Sequence, residues 1–202
     1  TELMERIQKT ALDNKEEFIK DVDRDSEAYD QVFSCFKMPK LTADEKEARS
    51  AAIQAATKYA AEVPLTVARR AYNLMDLIAD VARLGNKNAV TDACVAMMSA
   101  RSAVVGALMN VRINLCSLKD RSYVLKMQNE VDALEQRACA KEKELLNDIN
   151  QELKLCIMFI MWVPEASVSN WWINSSRIIP SWNSLRKPNS ASNTAVTIST
   201  GK

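Results

Sequence analysis

"IQKTALDNKEEFIKDVDRDSEAYDQVF", residues 7–33, decides the fold class. Ile7, Ala11, Asn14, Phe18, Val22, Asp25, Tyr29 and Val32 recur at steps of three and four, and Phe36 continues the row. That spacing is one face of an α-helix, held for about eight turns with no glycine or proline inside it. One member of the row has the wrong chemistry: Asp25 stands where an apolar residue belongs. The other acids of the run, Asp21, Asp23, Glu27 and Asp30, mostly fall off the row and are expected on a solvated face. A carboxylate facing a core must meet a cation, accept hydrogen bonds or take up a proton. Asp25 is therefore either a proton donor in a partly dry site or an Asp held by an Arg or a helix end of a neighbour. Spacing leaves both readings open.

The rest of the chain keeps the same period. Only three glycines and five prolines occur in 202 residues, a composition that predicts an all-α protein. A first helix runs from Glu2 to about Met38, where Pro39 ends it. "LTADE" (41–45) restarts the chain with Thr42 and Glu45 as a capping box, and a second helix reaches about Glu62. Pro64 marks a first turn or a kink, and a third helix runs to Leu84, with Gly85-Asn86 as a left-handed cap. A fourth covers about Asn88 to Leu115, and a fifth Asp120 to Leu155. Short connections between long helices predict an up-and-down antiparallel bundle of about five helices over residues 1–155. Residues 156–202 read as a divergent, non-helical C-terminal tail, with at most Leu155 to Trp162 continuing the fifth helix. The tail is rich in Ser, Asn and Thr, includes Trp162, Trp171, Trp172 and Trp182, and has too little patterned apolar surface to offset the entropy of ordering.

Composition also excludes chemistry. With no histidine, neither a triad nor a zinc–histidine site nor imidazole acid–base catalysis is available, which leaves carboxylate, Lys, Tyr, Cys or water to move protons. Cys35, Cys94, Cys116, Cys139 and Cys156 are widely spaced, and four of them sit among apolar or small neighbours as free buried thiols do, which fits a reducing, cytoplasmic setting; no metal spacing occurs. A net charge of +1 offers no nucleic-acid footprint. The longest uninterrupted apolar run, Leu155 to Val163, has nine residues, so no membrane span is expected. Opening on Thr1 in helical pattern, the chain reads as a fragment.

The fourth helix carries a second unusual row: Asp92, Ser99, Ala103, Gly106, Asn110 and Asn114, all small or polar. Such a seam either lets two helices approach closely or lines a cavity. Asn110 and Asn114, four apart, can present amides to one ligand or bond to a neighbouring helix. Asp92 can equally be a first-turn carboxylate favoured by the helix dipole. Val95, Met98, Val105, Leu108 and Leu115 are expected to form the core face, with Met97 and Met98 as packing residues. Arg69, Arg70 and Arg101 are expected on the surface.

Five separated motifs then carry a family resemblance: D-x-D-x-E-A-Y at 23–29, K-x-P-K-x-T at 37–42, E-V-P-L at 62–65, G-N-x-N-A-x-x-D at 85–92 and G-A-x-x-N-V-x-I-N-L at 106–115. In order and spacing they resemble the formimidoyltetrahydrofolate cyclodeaminase / methenyltetrahydrofolate cyclohydrolase family over about residues 1–150. The resemblance implies a homodimeric helical bundle that takes a reduced folate as substrate and needs no cofactor. Its reactions are closure of 5-formimidoyltetrahydrofolate to 5,10-methenyltetrahydrofolate with loss of ammonia, or interconversion of the methenyl and 10-formyl forms with water. It also implies that the second Asp of the D-x-D pair, Asp25, gives or takes the proton, and that Asp92, Asn110 and Asn114 neighbour the substrate. The glycine-rich "P-G-G-G-S"-like segment and first helix of the family have no counterpart here. That departure keeps a second expectation open, a non-catalytic helical dimerisation module derived from the family.

Overall fold

Residues 2–162 are described in the computed structural model, with side chains to Met158. They form four helices: α1 (Glu2–Phe36), α2 (Ala43–Leu84), α3 (Val90–Leu115) and α4 (Arg121–Trp162), with one 3-10 turn at Lys87–Ala89. The all-α class holds, but the count of five does not. The segments on either side of Pro64 are a single 42-residue helix. The expected tail falls, from Val163 on, outside the described residues, and α4 continues through Leu155 to Trp162.

Why Pro64 fails to break α2 has a specific answer. Proline has no N–H, so the Ala60 carbonyl loses its intrahelical donor, and an interior proline costs about 3 kcal/mol. Here the Asn114 side chain of α3 donates its amide to that carbonyl at 3.1 Å. Val63, Pro64 and Leu65 are themselves buried, so packing holds both halves in line.

Local chemistry sets the ends. The Glu45 N–H donates to Thr42 Oγ1 at 3.2 Å while Glu45 Oε2 accepts from the Thr42 N–H at 3.1 Å, completing the expected capping box. Gly85 is not the left-handed cap expected of it: its φ is −81°. Glycine is required there by close approach, since a Cβ would collide with the Val81 carbonyl oxygen. Asp120 caps α4, and Lys58, the Tyr123 N–H and Ser122 together hold its carboxyl well below the usual range.

Three helices share the main core through rows at steps of three and four: Ala61, Leu65, Ala68, Met75, Ala79 and Ala82 on α2, Met97, Val104, Leu108 and Val111 on α3, Met127, Val131, Leu134 and Ala138 on α4. Rows of that period favour near-parallel axes, and the alanines of α2 let its neighbours approach closely. Polar partners across the interfaces fix direction. Phe36 meets Arg49 and Asp21 meets Arg70, so α1 and α2 run oppositely. Arg101–Glu142 and Arg112–Asp132 set α3 against α4 in the same sense, while Arg69–Glu130 and Arg83–Asp148 run α4 alongside α2.

One smaller expectation is corrected. None of the five thiols is fully buried; Cys116 and Cys139 are exposed, and partial burial pushes the Cys94 thiol up. By length and composition Lys87–Leu115 could cross a membrane, which a search for unbroken apolar runs overlooks. Its buried face lies against α2 and α4 in the core, but only 22% of that stretch is buried, and Val95, Met109 and Ile113 stay exposed.

The Pro64–Asn114 pairing gives a testable coupling. Asn114→Ala should lower stability by about 1–3 kcal/mol by leaving the Ala60 carbonyl unpaired. In a Pro64→Ala background, where residue 64 regains an N–H, the same change should cost distinctly less. Urea denaturation of the four proteins measures the coupling, and strictly additive effects would disprove it.

Candidate active site

α1 and α3 lie on either side of α2 and leave a groove of about 440 Å³ between them. Phe18, Asp21, Val22, Asp25 and Ser26 of α1 form one wall, Ala103, Gly106, Ala107 and Asn110 of α3 the other, and Pro64 and Val67 of α2 the floor. The D-x-D run and the small-residue seam, 80 residues apart in sequence, thus meet across one opening.

Within the groove the two α1 acids exchange the places expected of them. Asp25 is exposed along the wall. Asp21, expected in solvent, is the buried one, at 4% exposure. The packed face of α1 is marked by Ile7, Asp21 and Ala28, which lies about 60° around the axis from the row read in the sequence, at about 100° per residue. Val22, Tyr29, Phe33 and Phe36, on the other side of that row, stay exposed. The apolar arc of α1 is broader than the face it buries.

Asp21 is held by two guanidiniums. Its Oδ1 accepts from Arg24 Nη1 at 2.5 Å, and its Oδ2 lies 3.3 Å from Arg70 Nε on α2. Glu17 closes the cluster, 3.3 Å from Arg24 and 3.7 Å from Arg70. Asp21 first, then Glu17, pushes the Arg24 guanidinium up; hydrogen bonding from Lys20 leads the causes that lower Glu17. Arg70, expected on the surface, instead lies over the Phe18 ring at 5.9 Å. Asp21 and Arg70 are the two residues sequence reasoning missed, and the i, i+3 spacing of Asp21 and Arg24 was the available signal.

On α3, Asn110 lines the groove and Gly106 keeps it open: a Cβ there would meet no atom within 4 Å. Asn114 is one turn further, and its amide is engaged by the carbonyls of Ala60 and of Asn110, the latter at 3.0 Å. Asp92 is exposed about three turns, or about 16 Å along the helix, from Ala103, the nearest lining residue of α3, and takes no part in the lining. The core face of α3 is Val90, Ala93, Met97, Val104, Leu108, Val111 and Leu115; Val95 and Met98, expected inside, are exposed. Apolar residues surround α3, so its period alone could not choose the face.

A family model described as formiminotransferase-cyclodeaminase matches residues 1–133. The chain belongs to this family. Among members of the formiminotransferase-cyclodeaminase family, a methenyltetrahydrofolate cyclohydrolase of Methylorubrum extorquens is 36% identical over 129 residues, covering 64% of this chain and 62% of that protein. A formimidoyltransferase-cyclodeaminase of Gallus gallus is 34% identical over 123 residues, covering 61% of this chain and 23% of its own length. The chain therefore spans about three-fifths of one relative and under a quarter of the other. A crystal structure of formiminotetrahydrofolate cyclodeaminase from Thermotoga maritima aligns with a TM-score of 0.58 at 27% identity, over 72% of this chain and 70% of that one.

Because nothing meets the space beside Gly106, Gly106→Ala should stabilise the fold by about 0.5–1 kcal/mol through helix propensity alone. Thermal denaturation measures it. A loss of stability would mean that the groove is narrower than described.

Proposed function

We propose that this chain works in one-carbon folate chemistry. In this reading it closes 5-formimidoyltetrahydrofolate to 5,10-methenyltetrahydrofolate with release of ammonia, or carries out the related methenyltetrahydrofolate cyclohydrolase reaction. The observation that carries the reading is Asp25: it lines the groove opposite Asn110 and has no ion-pair partner among the described residues, in a chain whose relatives are named for these reactions.

The chemistry fits such a carboxylate. N10 attacks the carbon of the protonated formimidoyl group and forms a tetrahedral centre that carries an amine. Asp25 accepts the proton from N10 and returns it to that amine, which leaves as ammonia while the N5–C–N10 bridge becomes methenyl. The carboxylate ends as it began, and no cofactor enters. In the cyclohydrolase direction the same group takes the proton of the attacking water. Asn110 supplies an amide to the ligand. Asn114, whose amide serves the Ala60 carbonyl, is assigned to the fold, and Asp92 has no role at this groove.

The proposed assembly is a cytoplasmic homodimer of up-and-down bundles. Val95, Met109 and Ile113 support it: they leave an apolar outer face on α3, with Ile113 71% exposed. Sedimentation at micromolar concentration should show a dimer, and Met109→Glu with Ile113→Glu should give a folded monomer. A monomeric parent would count against the assembly.

Asp25→Asn should lower turnover by roughly 100-fold or more while reduced folate still binds, because the amide can hold a ligand but cannot relay the proton. Ammonia release and methenyl absorbance report the two products. Equal turnover in variant and parent would remove Asp25 from the reaction. A folded, dimeric parent that neither binds nor converts folate would favour the non-catalytic module instead.

A further inference from the structure

Few apolar side chains attach α1 to the rest of the fold. Ile7 and Ala28 are its only buried apolar residues among those described, and Ala28 belongs to a small separate cluster with Ala60 and Val63. Phe18 and Val32 are partly buried against the core, while Leu12, Ile19, Tyr29, Phe33 and Phe36 stay half exposed or more. A turn of less than one residue step would bring Tyr29 and Phe36 toward the packed side. Hydrophobic burial alone therefore does not choose the rotation of α1 sharply.

A polar contact does. Asp21 Oδ2 and Arg70 Nε, 3.3 Å apart, are both shut off from solvent, and neither has a hydrogen-bond partner among the described residues. Among the described residues the only acids that reach Arg70 are Asp21 and Glu17 of α1, so rotation of α1 would strip both from the guanidinium, while Asp21 would keep Arg24. Asp25 follows Asp21 by four residues, about 6 Å along the axis and about 40° around it. Whatever holds Asp21 against α2 therefore also holds Asp25 at the groove wall.

We propose that the Asp21–Arg70 ion pair sets the rotation of α1 and so directs Asp25 into the groove, which makes Asp21 and Arg70 positioning residues. This rests on the reading of Asp25 as the reacting carboxyl.

The test replaces both charges together. Asp21→Leu with Arg70→Met keeps volume and leaves no charge stranded, while Glu17 retains Lys20 and Arg24, so the protein should unfold at nearly the parent temperature. Spin labels at Ser26→Cys and Ala103→Cys, with the five native cysteines changed to Ser, report the distance across the groove. The parent should give one narrow distance and the double variant a broadened or displaced one. Without labels, kcat should fall roughly 100-fold with KM within about threefold, as for a displaced reacting group. A folded double variant with the parent's narrow distance and kcat overturns the proposal. If the double variant does not fold, Asp21→Asn, neutral and of the same shape, must show the broadening, and an unchanged distance there overturns it equally. A parent without turnover sinks the assignment of Asp25, yet the distances still decide whether the ion pair positions α1.

Discussion

One hydrogen bond, from the Asn114 amide to the Ala60 carbonyl, joins the packing of Val63, Pro64 and Leu65 in keeping the central helix whole. It repairs the loss that Pro64 introduces and lets α2 run unbroken for 42 residues. Every other helix is located by α2. The Asp21–Arg70 pair places α1, the shared core places α3, and Arg69–Glu130 with Arg83–Asp148 aligns α4. The floor of the groove is Pro64 and Val67, at the position where a break would have opened the helix. Two of the quoted motifs, E-V-P-L and G-A-x-x-N-V-x-I-N-L, line the same groove here. The proline of one requires the second asparagine of the other.

How much of this could be read in the sequence follows from how far each cause reaches. The all-helical class, the end of α1 before Pro39 and the Thr42–Glu45 box rest on neighbours a few residues away, and they were legible. The continuity of α2 was not, because the donor that rescues Ala60 is 54 residues downstream. Gly85 was misjudged for a related reason. Its presence reflects space beside Val81 rather than a positive φ, and a preference scale sees only the residue type. On α3 the difficulty was symmetry: apolar residues on both sides gave the period no single answer, and Val95 and Met98 were placed inside when Val90 and Ala93 are.

α1 shows the same limit at the site itself. Its apolar row was real, but it straddled the boundary between the face packed on α2 and the face left open. Asp25 was singled out as an acid inside a core and is instead an acid beside one. The D-x-D resemblance pointed to the same residue without depending on its burial. Asp21 went unnoticed because its partner Arg70 lies 49 positions away, and a carboxylate destined for burial looks no different in sequence from a solvated one until its cation is placed.

In the proposed reading the two carboxylates, one turn apart, divide the work by their surroundings. Asp21 sits between two guanidiniums, buried and committed to both, so it is suited to holding position. Asp25 faces the groove without a cation to hold it, beside small side chains that leave room for a ring system. A proton relay needs a group that is accessible and uncommitted, and accurate placement needs one that is buried and fully committed; one residue cannot be both. Four residues of helix join the two roles rigidly. In that reading the buried pair orients the exposed carboxyl, without any contact between Arg70 and the groove's ligand.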